Sequence, residues 1–199
     1  MRSIAKLMKD WQFTGPNGVT TAVELPHTWN ARDGQDGGND YWRGCCTYCT
    51  RFAAPVYDPA QQQVWLQFEG VNASAAVLLN GQQLCTHDGG YSTFRAEVTE
   101  LLQAENQLTV RVDNSVNDRV YPQKADFTFY GGIYRDVSLL VVNKNHIALG
   151  HFGDTGVKIT PALQENSADI RVETLVEGSG TVTVELLDAE GRTAAKGEG

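Results

Sequence analysis

No run of apolar residues in the 199-residue sequence reaches the length of a membrane-spanning helix. The first residues, MRSIAKLMKDWQF, also lack the apolar stretch of a secretory signal, because Lys6, Lys9 and Asp10 interrupt it. We therefore expect no membrane partner, and we predict a cytoplasmic location for the protein.

Positive charge is scarce. The sequence has 16 Lys and Arg residues against 24 Asp and Glu residues, which gives a formal net charge of -8 at pH 7. No local cluster of Lys and Arg reverses this balance, so the protein would repel a phosphate backbone. We expect no nucleic-acid partner.

Cysteine is limited to four positions, Cys45, Cys46, Cys49 and Cys85. Cys46 and Cys49 have the C-x-x-C spacing of zinc and redox sites, but a structural zinc site needs a second pair of ligands, for which only Cys85 and His87 are present. The segment also alternates like a strand, which places Cys46 and Cys49 on opposite faces. We predict reduced thiols that pack as small side chains.

The motifs of a complete active site are missing. The sequence has no H-E-x-x-H zinc motif, no G-x-S-x-G nucleophile turn and no phosphate-binding glycine loop, and its four histidines are dispersed. Glycoside hydrolysis needs two opposed carboxyl groups, but most acidic residues fall at exposed strand or turn positions. We predict no catalytic residue, no metal site and no cofactor in this chain.

Short alternating strands dominate instead, within a composition that is 41% hydrophobic and typical of a globular protein. Alternation from Ala75 to Leu79 runs into Asn80-Gly81, which predicts a tight hairpin. The only helical turn expected lies at about 98–102. Further sets that share one strand face are Val64, Leu66 and Phe68; Leu108, Val110 and Val112; and Ile133, Val137, Leu139 and Val141. This pattern predicts an all-β antiparallel sandwich, and a jelly roll fits its length.

The glycine-rich stretch 143–156 interrupts the strand rhythm, and alternation resumes after it. We therefore predict two domains, a jelly roll over 1–143 and part of an immunoglobulin-like sandwich over 144–199. Only three or four strands are expected in the second, whereas an immunoglobulin-type sandwich needs about seven. We expect the 199 residues to be a fragment of a longer polypeptide, because half a sandwich leaves an apolar face and sheet edges unpaired.

Two segments combine polar and aromatic residues in the way sugar sites do. The first, YPQKADFTFYGGIYRD over 121–136, places Asp126 among aromatic residues. The second places Asn39 and Asp40 before Tyr41 and Trp42. Carboxylates accept hydrogen bonds from sugar hydroxyls, and aromatic faces cover the C–H patches of the ring. The alternative is that the aromatics are core residues, that Asp126 caps a loop, and that the second segment is a turn.

Several motifs together resemble the sugar-binding domain of family 2 glycoside hydrolases, the β-galactosidase and β-glucuronidase type, across residues 11–142. They occur in the family's order, and the last is the most diagnostic: LPHTWN at 25–30, YWRG at 41–44, FEGV at 68–71, NG at 80–81, GGY at 89–91, VRVDN at 110–114 and GGIYRDV at 131–137. Thr28 departs from the family pattern, which has Asp there, and so do the cysteines at 45–49.

The resemblance implies a galactose-binding-like jelly roll, an immunoglobulin-like domain and then a (β/α)8 barrel carrying the catalytic glutamates, which this chain lacks. In the family, an aspartate shortly before the GGIYRD-like motif reaches the active site in the barrel and binds the terminal sugar. Asp126 occupies that position, and Asn39 and Asp40 are weaker candidates. The implied partners are a β-linked carbohydrate and the barrel of the same polypeptide, and the oligomeric state, including a homo-oligomer, stays open.

Three functions remain at this point. The chain is a non-catalytic sugar-binding region of an exo-β-glycosidase of β-galactosidase-like type, inactive by itself; or it is a free-standing lectin-like module, because one fold hosts many functions; or it is a scaffold that only positions or oligomerises the barrel.

Overall fold

The computed structural model describes residues 2–31, 41–121 and 128–199. Eighteen strands and one short 3-10 helix are present in these ranges. The strands are β1 Ser3–Lys6, β2 Trp11–Thr14, β3 Thr20–Val23, β4 Cys45–Ala53, β5 Gln62–Phe68, β6 Val71–Asn72, β7 Ser74–Leu79, β8 Gln82–Asp88, β9 Phe94–Glu97, β10 Glu105–Asp113, β11 Gly132–Ile133, β12 Val137–Asn143, β13 His146–Ile147, β14 Val157–Leu163, β15 Ala168–Thr174, β16 Val176–Glu177, β17 Thr183–Leu187 and β18 Thr193–Glu198. The helix, Thr99–Leu101, confirms the single helical turn predicted.

Two antiparallel sheets form a sandwich from the strands up to β12. One sheet has four strands in the order β1-β12-β5-β9, and the other has six in the order β3-β2-β4-β10-β7-β8. A short pair, β6 with β11, lies beside them. Strands that are neighbours in a sheet are mostly distant in sequence, as β4 and β10 are. The predicted all-β sandwich is confirmed.

The β7–β8 hairpin turns at Asn80-Gly81, as the alternation predicted. Asn80 has φ 52° and Gly81 has φ 83°. Both values lie in the left-handed region that a two-residue hairpin turn requires, and that asparagine and glycine tolerate best. The Asn80 side chain also accepts a hydrogen bond from the Gln107 backbone at 2.9 Å, which fastens the turn to β10.

The core lies between the two sheets and includes the residue sets that alternation placed on one face, although Ile133 lies on β11 and the rest of its set on β12. Phe68 and Phe94 stack in its centre with ring centroids 4.8 Å apart. Complete burial of a phenylalanine contributes about 1.5–3 kcal/mol, so these faces hold the sandwich closed. Fully buried members include Trp11, Tyr48, Val64, Leu66, Val77, Leu79, Leu108, Val110, Val112 and Ile133.

Strand β12 is buried on both faces, and its outer face carries a second small cluster. Leu140 and Val142 pack there with Leu149 and Trp65. Because Leu149 follows β12 in the glycine-rich stretch, this contact lays the connecting segment across the outside of the four-stranded sheet. Arg95 on β9 fixes the same segment, donating to the carbonyl oxygens of Asp154 at 3.1 Å and Gly150 at 3.5 Å.

After β12, six short strands form three antiparallel pairs, β13 with β16, β14 with β15 and β17 with β18, where three or four strands were expected. Ile159, Ile170 and Leu186 remain exposed on them and line a cleft of about 680 Å³. The predicted division into 1–143 and 144–199 stays a prediction. No helix in the described ranges combines the length and apolar character needed to cross a membrane.

Candidate functional site

The three predicted sugar-contacting residues lie outside the described part of the chain. Asn39 and Asp40 fall within 32–40, and Asp126 falls within 122–127. The structure does describe the residues that flank both segments. These flanks meet at one end of the sandwich, and the candidate site is built from them.

Two buried asparagine side chains join the flanks. The Oδ1 atom of Asn30 accepts hydrogen bonds from the Gly131 amide at 2.7 Å and from Nδ2 of Asn114 at 3.1 Å. Its Nδ2 donates to the Trp42 carbonyl at 2.8 Å. Asn114 also donates to the Phe129 carbonyl at 3.1 Å. The residues on both sides of 32–40 and those just after 122–127 are therefore hydrogen-bonded to the same pair of asparagine side chains.

The glycines of the GGIYRD motif are required by close packing at this end. A Cβ atom at Gly132 would lie 2.4 Å from the carbonyl oxygen of His27, and Gly132 has φ 135°. A Cβ at Gly131 would lie 2.1 Å from the Trp29 ring. The LPHTWN and GGIYRD segments therefore approach each other more closely than any residue with a side chain would allow.

Arg43 lies between two aromatic rings. Its guanidinium carbon is 4.9 Å from the Tyr41 ring centroid and 4.8 Å from that of Phe129. It also donates a hydrogen bond to the Tyr41 hydroxyl at 3.0 Å. Cation–π contacts of this kind are attractive, and they connect Tyr41, directly after 32–40, with Phe129, two residues after 122–127.

A narrow cleft opens beside Arg43. It is lined by Arg43, Asn72, Asn114 and Phe129, and by the exposed rings of Tyr91 and Tyr121. Its free volume is about 20 Å³, which is little more than one water position. The cleft therefore does not enclose a sugar ring, and a sugar would have to lie on its mouth against the tyrosine rings, which are 52% and 77% exposed.

The Arg135 and Asp136 side chains of the GGIYRD motif serve the framework. Arg135 donates to the Tyr91 carbonyl at 3.1 Å, and Asp136 pairs with Lys6 at 2.5 Å. Asn72 donates to the Tyr130 carbonyl at 2.8 Å, which secures the chain before the motif. These contacts hold the loops around the cleft.

The C-x-x-C cysteines, Cys46 and Cys49, point to opposite faces of β4. Cys46 is buried in the core, whereas Cys49 faces outward, where it accepts a hydrogen bond from Gln107. The predicted placement on opposite faces is confirmed. Burial raises the pKa of Cys46 to about 12 and that of Cys85 to about 11, so both thiols stay protonated. No cluster of three or more His, Cys, Asp or Glu residues occurs in the ranges that the structure describes.

Asn30, Asn114 and Arg43 were not singled out by sequence reasoning, although all three occur in the motifs quoted above. The available signal was an asparagine closing each of two motifs, LPHTWN and VRVDN. A polar residue next to buried strand positions has to be hydrogen-bonded. Which residue it bonds follows only from the fold, since Asn30 and Asn114 are 84 positions apart in the sequence.

The fold is an antiparallel β-sandwich of galactose-binding-like type, and the cleft lies at one end of it. The sequence profile described as glycosyl hydrolase 2 galactose-binding domain-like matches residues 38–162. The chain therefore belongs to glycoside hydrolase family 2. It corresponds to an accessory region of the enzymes of that family.

Relatives agree with this assignment. The chain is 35% identical over 197 residues to a putative β-glucuronidase of Formosa agariphila, a match that covers 96% of this chain and 23% of that protein. The crystal structure of an FMN-binding β-glucuronidase from Facaelibacterium prausnitzii L2-6 superposes with a TM-score of 0.91 at 36% identity, covering all of this chain and 32% of that one. A putative β-galactosidase from Bacteroides fragilis gives 0.88 at 34% identity, over 99% and 32%. The chain thus spans about a quarter to a third of these proteins.

Proposed function

We propose that this chain is the non-catalytic sugar-binding region of an exo-β-glycosidase. In this proposal a catalytic barrel of the same polypeptide hydrolyses a β-glucuronide or a β-galactoside. This chain supplies hydrogen bonds to the terminal sugar through Asp126, with Asn39 and Asp40 as further candidates. A cytoplasmic location is part of the same proposal.

One observation carries the proposal: the flanks of both predicted sugar-contacting segments are bonded to the same amide pair. Asp126 is three residues before Phe129, and Asp40 is two residues before Trp42. The Phe129 carbonyl accepts from Asn114, and the Trp42 carbonyl accepts from Asn30. Residues far apart in sequence are therefore connected through one end of the sandwich, beside exposed aromatic rings.

The surface chemistry at this end suits a carbohydrate. Trp42, Tyr91, Tyr121 and Tyr130 are exposed large aromatic residues, and such rings cover the apolar C–H faces of sugars while carboxylates and amides bind hydroxyls. The cleft holds about one water and no ring. This small size favours a shared site, in which the barrel provides the remaining walls, over a complete lectin pocket.

The division of roles follows from the chemistry of glycoside hydrolysis. That reaction uses two opposed carboxyl groups at the scissile bond, which the proposal assigns to the barrel. A contact from this chain to the terminal sugar would accelerate the reaction to the extent that it is stronger in the transition state than in the ground state. It would also select which hydroxyl pattern is accepted.

The test is Asp126→Ala in the complete polypeptide, assayed with nitrophenyl β-glucuronide and nitrophenyl β-galactoside. Loss of a charged hydrogen bond should raise the activation free energy for the preferred substrate by on the order of 2–4 kcal/mol, which lowers kcat/KM. Asp169→Ala, on the exposed strand β15, is the matched control and should leave kcat/KM unchanged. An unchanged value for Asp126→Ala removes that residue from the site.

The isolated 199 residues provide a second test. We expect no hydrolysis of either substrate and sugar binding weaker than millimolar, measured by NMR titration with glucuronate and galactose. Robust turnover would overturn the proposal. Millimolar or tighter binding would favour the free-standing lectin-like alternative.

A further inference from the structure

We propose that Asn30 and Asn114 are positioning residues for the sugar-binding end of the sandwich. Both are almost completely buried, at 0% and 2% exposure. Neither side chain is proposed to touch the sugar. Their role is to hold the chain that flanks the contact residues, so this inference rests on the proposed function.

The hydrogen-bonding capacity of the pair is directed almost entirely at loop backbone. Asn114 donates through Nδ2 to Asn30 Oδ1 and to the Phe129 carbonyl, and it accepts from the Gly44 amide at 2.9 Å. Asn30 accepts from the Gly131 amide and donates to the Trp42 carbonyl. Each amide thus uses both its donor and its acceptor groups.

These bonds join chain segments that no local interaction would bring together. Gly131 and Gly44 are 101 and 70 positions from their respective asparagine partners. An asparagine side chain both donates and accepts, whereas an aspartate of the same shape accepts only. Asparagine to aspartate therefore leaves the volume intact while removing the donors to Trp42 or Phe129.

Thr28 supports the same arrangement and provides a milder probe. Its hydroxyl donates to the Gly131 carbonyl at 2.7 Å and accepts from the backbone N–H of Asn30 at 3.2 Å. Thr28→Val keeps the shape and removes both bonds without introducing a buried charge. This variant reports on the position of Gly131 even if an aspartate variant fails to fold.

The chain contains a matched control at the start of β10, the strand that Asn114 directly follows. Asn106 is 2% exposed on β10 and forms an amide pair with Asn80 at 3.0 Å. The Asn106 side chain also accepts a hydrogen bond from the Gln103 backbone N–H at 2.9 Å and donates one to the Gln103 carbonyl at 2.7 Å. Asn106 thus matches Asn114 in burial and bonding, but its partners lie away from the LPHTWN and GGIYRD segments.

The experiment compares Asn30→Asp, Asn114→Asp, Thr28→Val and Asn106→Asp in the complete polypeptide. Thermal unfolding and the separate values of kcat and KM are measured with the preferred nitrophenyl glycoside. We expect the three aspartate variants to lose thermal stability to a similar degree. We expect KM to rise about tenfold or more for Asn30→Asp and Asn114→Asp, about threefold for Thr28→Val, and not at all for Asn106→Asp.

Two results would overturn the inference. One is an unchanged KM in the Asn30, Asn114 or Thr28 variants that fold, and the other is an equal KM increase in Asn106→Asp. Asp126→Ala in the same series separates this failure from failure of the proposed function. If Asp126→Ala impairs kcat/KM while Asn114→Asp behaves like Asn106→Asp, only the positioning role is wrong; if Asp126→Ala has no effect, the proposed function itself fails.

Discussion

The hydroxyl of Tyr48 shares a hydrogen bond with Nδ1 of His27 across 2.7 Å, joining β4 to the LPHTWN segment. Tyr48 is completely buried, and His27 is partly buried. Burial raises the pKa of Tyr48 and lowers the pKa of His27, so the bond connects two neutral groups. This bond anchors the base of the candidate site to the core.

Removal of the Tyr48 hydroxyl should destabilise the chain. Tyr48→Phe leaves the ring nitrogen of partly buried His27 without its partner, and loss of such a hydrogen bond costs about 0.5–1.5 kcal/mol. Urea unfolding should show that decrease in the free energy of unfolding. Tyr57→Phe is the control, because its hydroxyl makes only a 3.5 Å contact to Thr99. A Tyr48→Phe variant as stable as Tyr57→Phe would contradict the prediction.

Stability should decrease as the pH falls below about 6.5. Burial lowers the pKa values of His27 and His87 in the folded chain from 6.5. The unfolded chain then takes up protons that the folded chain does not, and such uptake favours unfolding. Unfolding free energies between pH 7.5 and 5.5 should show this slope, and His27→Gln with His87→Gln should flatten it. A slope that persists in the double variant would point to other groups.

Gly132→Ala should destabilise the sandwich strongly. The added Cβ would meet the His27 carbonyl at 2.4 Å, in a backbone conformation with φ 135°. Backbone strain and overpacking of this kind cost about 2–4 kcal/mol. Gly180→Ala is the control, because no atom lies within 4 Å of its added Cβ. Thermal unfolding should separate the two variants, and equal melting temperatures would show that the segments can move apart.

Arg95→Met should loosen the segment that follows β12. The Arg95 guanidinium donates to the Gly150 and Asp154 carbonyls and to Gln67 at 2.7 Å. Methionine preserves much of the side-chain length but donates nothing, so hydrogen–deuterium exchange should rise over 148–156. Arg111→Met, on the exposed face of β10, should leave that exchange unchanged. Equal exchange in both variants would assign the fixing of this segment to Leu149 packing and to the hydrogen bonds between His151 and the Arg95 backbone.

The cysteine thiols should differ in reactivity. Burial raises the pKa values of Cys46 and Cys85 to about 12 and about 11, and only the thiolate reacts readily. In the native protein at pH 8, a thiol reagent should modify exposed Cys45 before half-buried Cys85 and well before buried Cys46, and all four after unfolding. Mass spectrometry of the labelled peptides gives the order. Protection of Cys45, reversed by a chelator, would instead indicate a bound metal.

Local patterns predicted strands from about residue 45 onward but did not predict β1, β2 and β3. Alternation placed Val64, Leu66 and Phe68 on one face, and all three are buried. The Asn80-Gly81 pair marked the hairpin because a positive φ is a property of single residues. Motif resemblance, through LPHTWN and GGIYRD, was sufficient for the family.

The candidate site was predictable only in part. Asp126, Asn39 and Asp40 stay predictions, since they lie outside the described residues. Arg43 lies in the YWRG motif, but its role could not be predicted from the sequence. Its guanidinium stacks on the Phe129 ring at 4.8 Å, and that contact requires two chain segments 86 positions apart to meet.

The sequence by itself determined where most strands after residue 45 lie, which side of strands such as β5 and β10 is apolar, and where the tightest turn lies, because each of these depends on neighbours a few positions away. Only the tertiary structure decided that β4 pairs with β10 and that Asn30 meets Asn114. Backbone hydrogen bonds between strands are alike for every sequence, so strand order follows from the packing of the whole core.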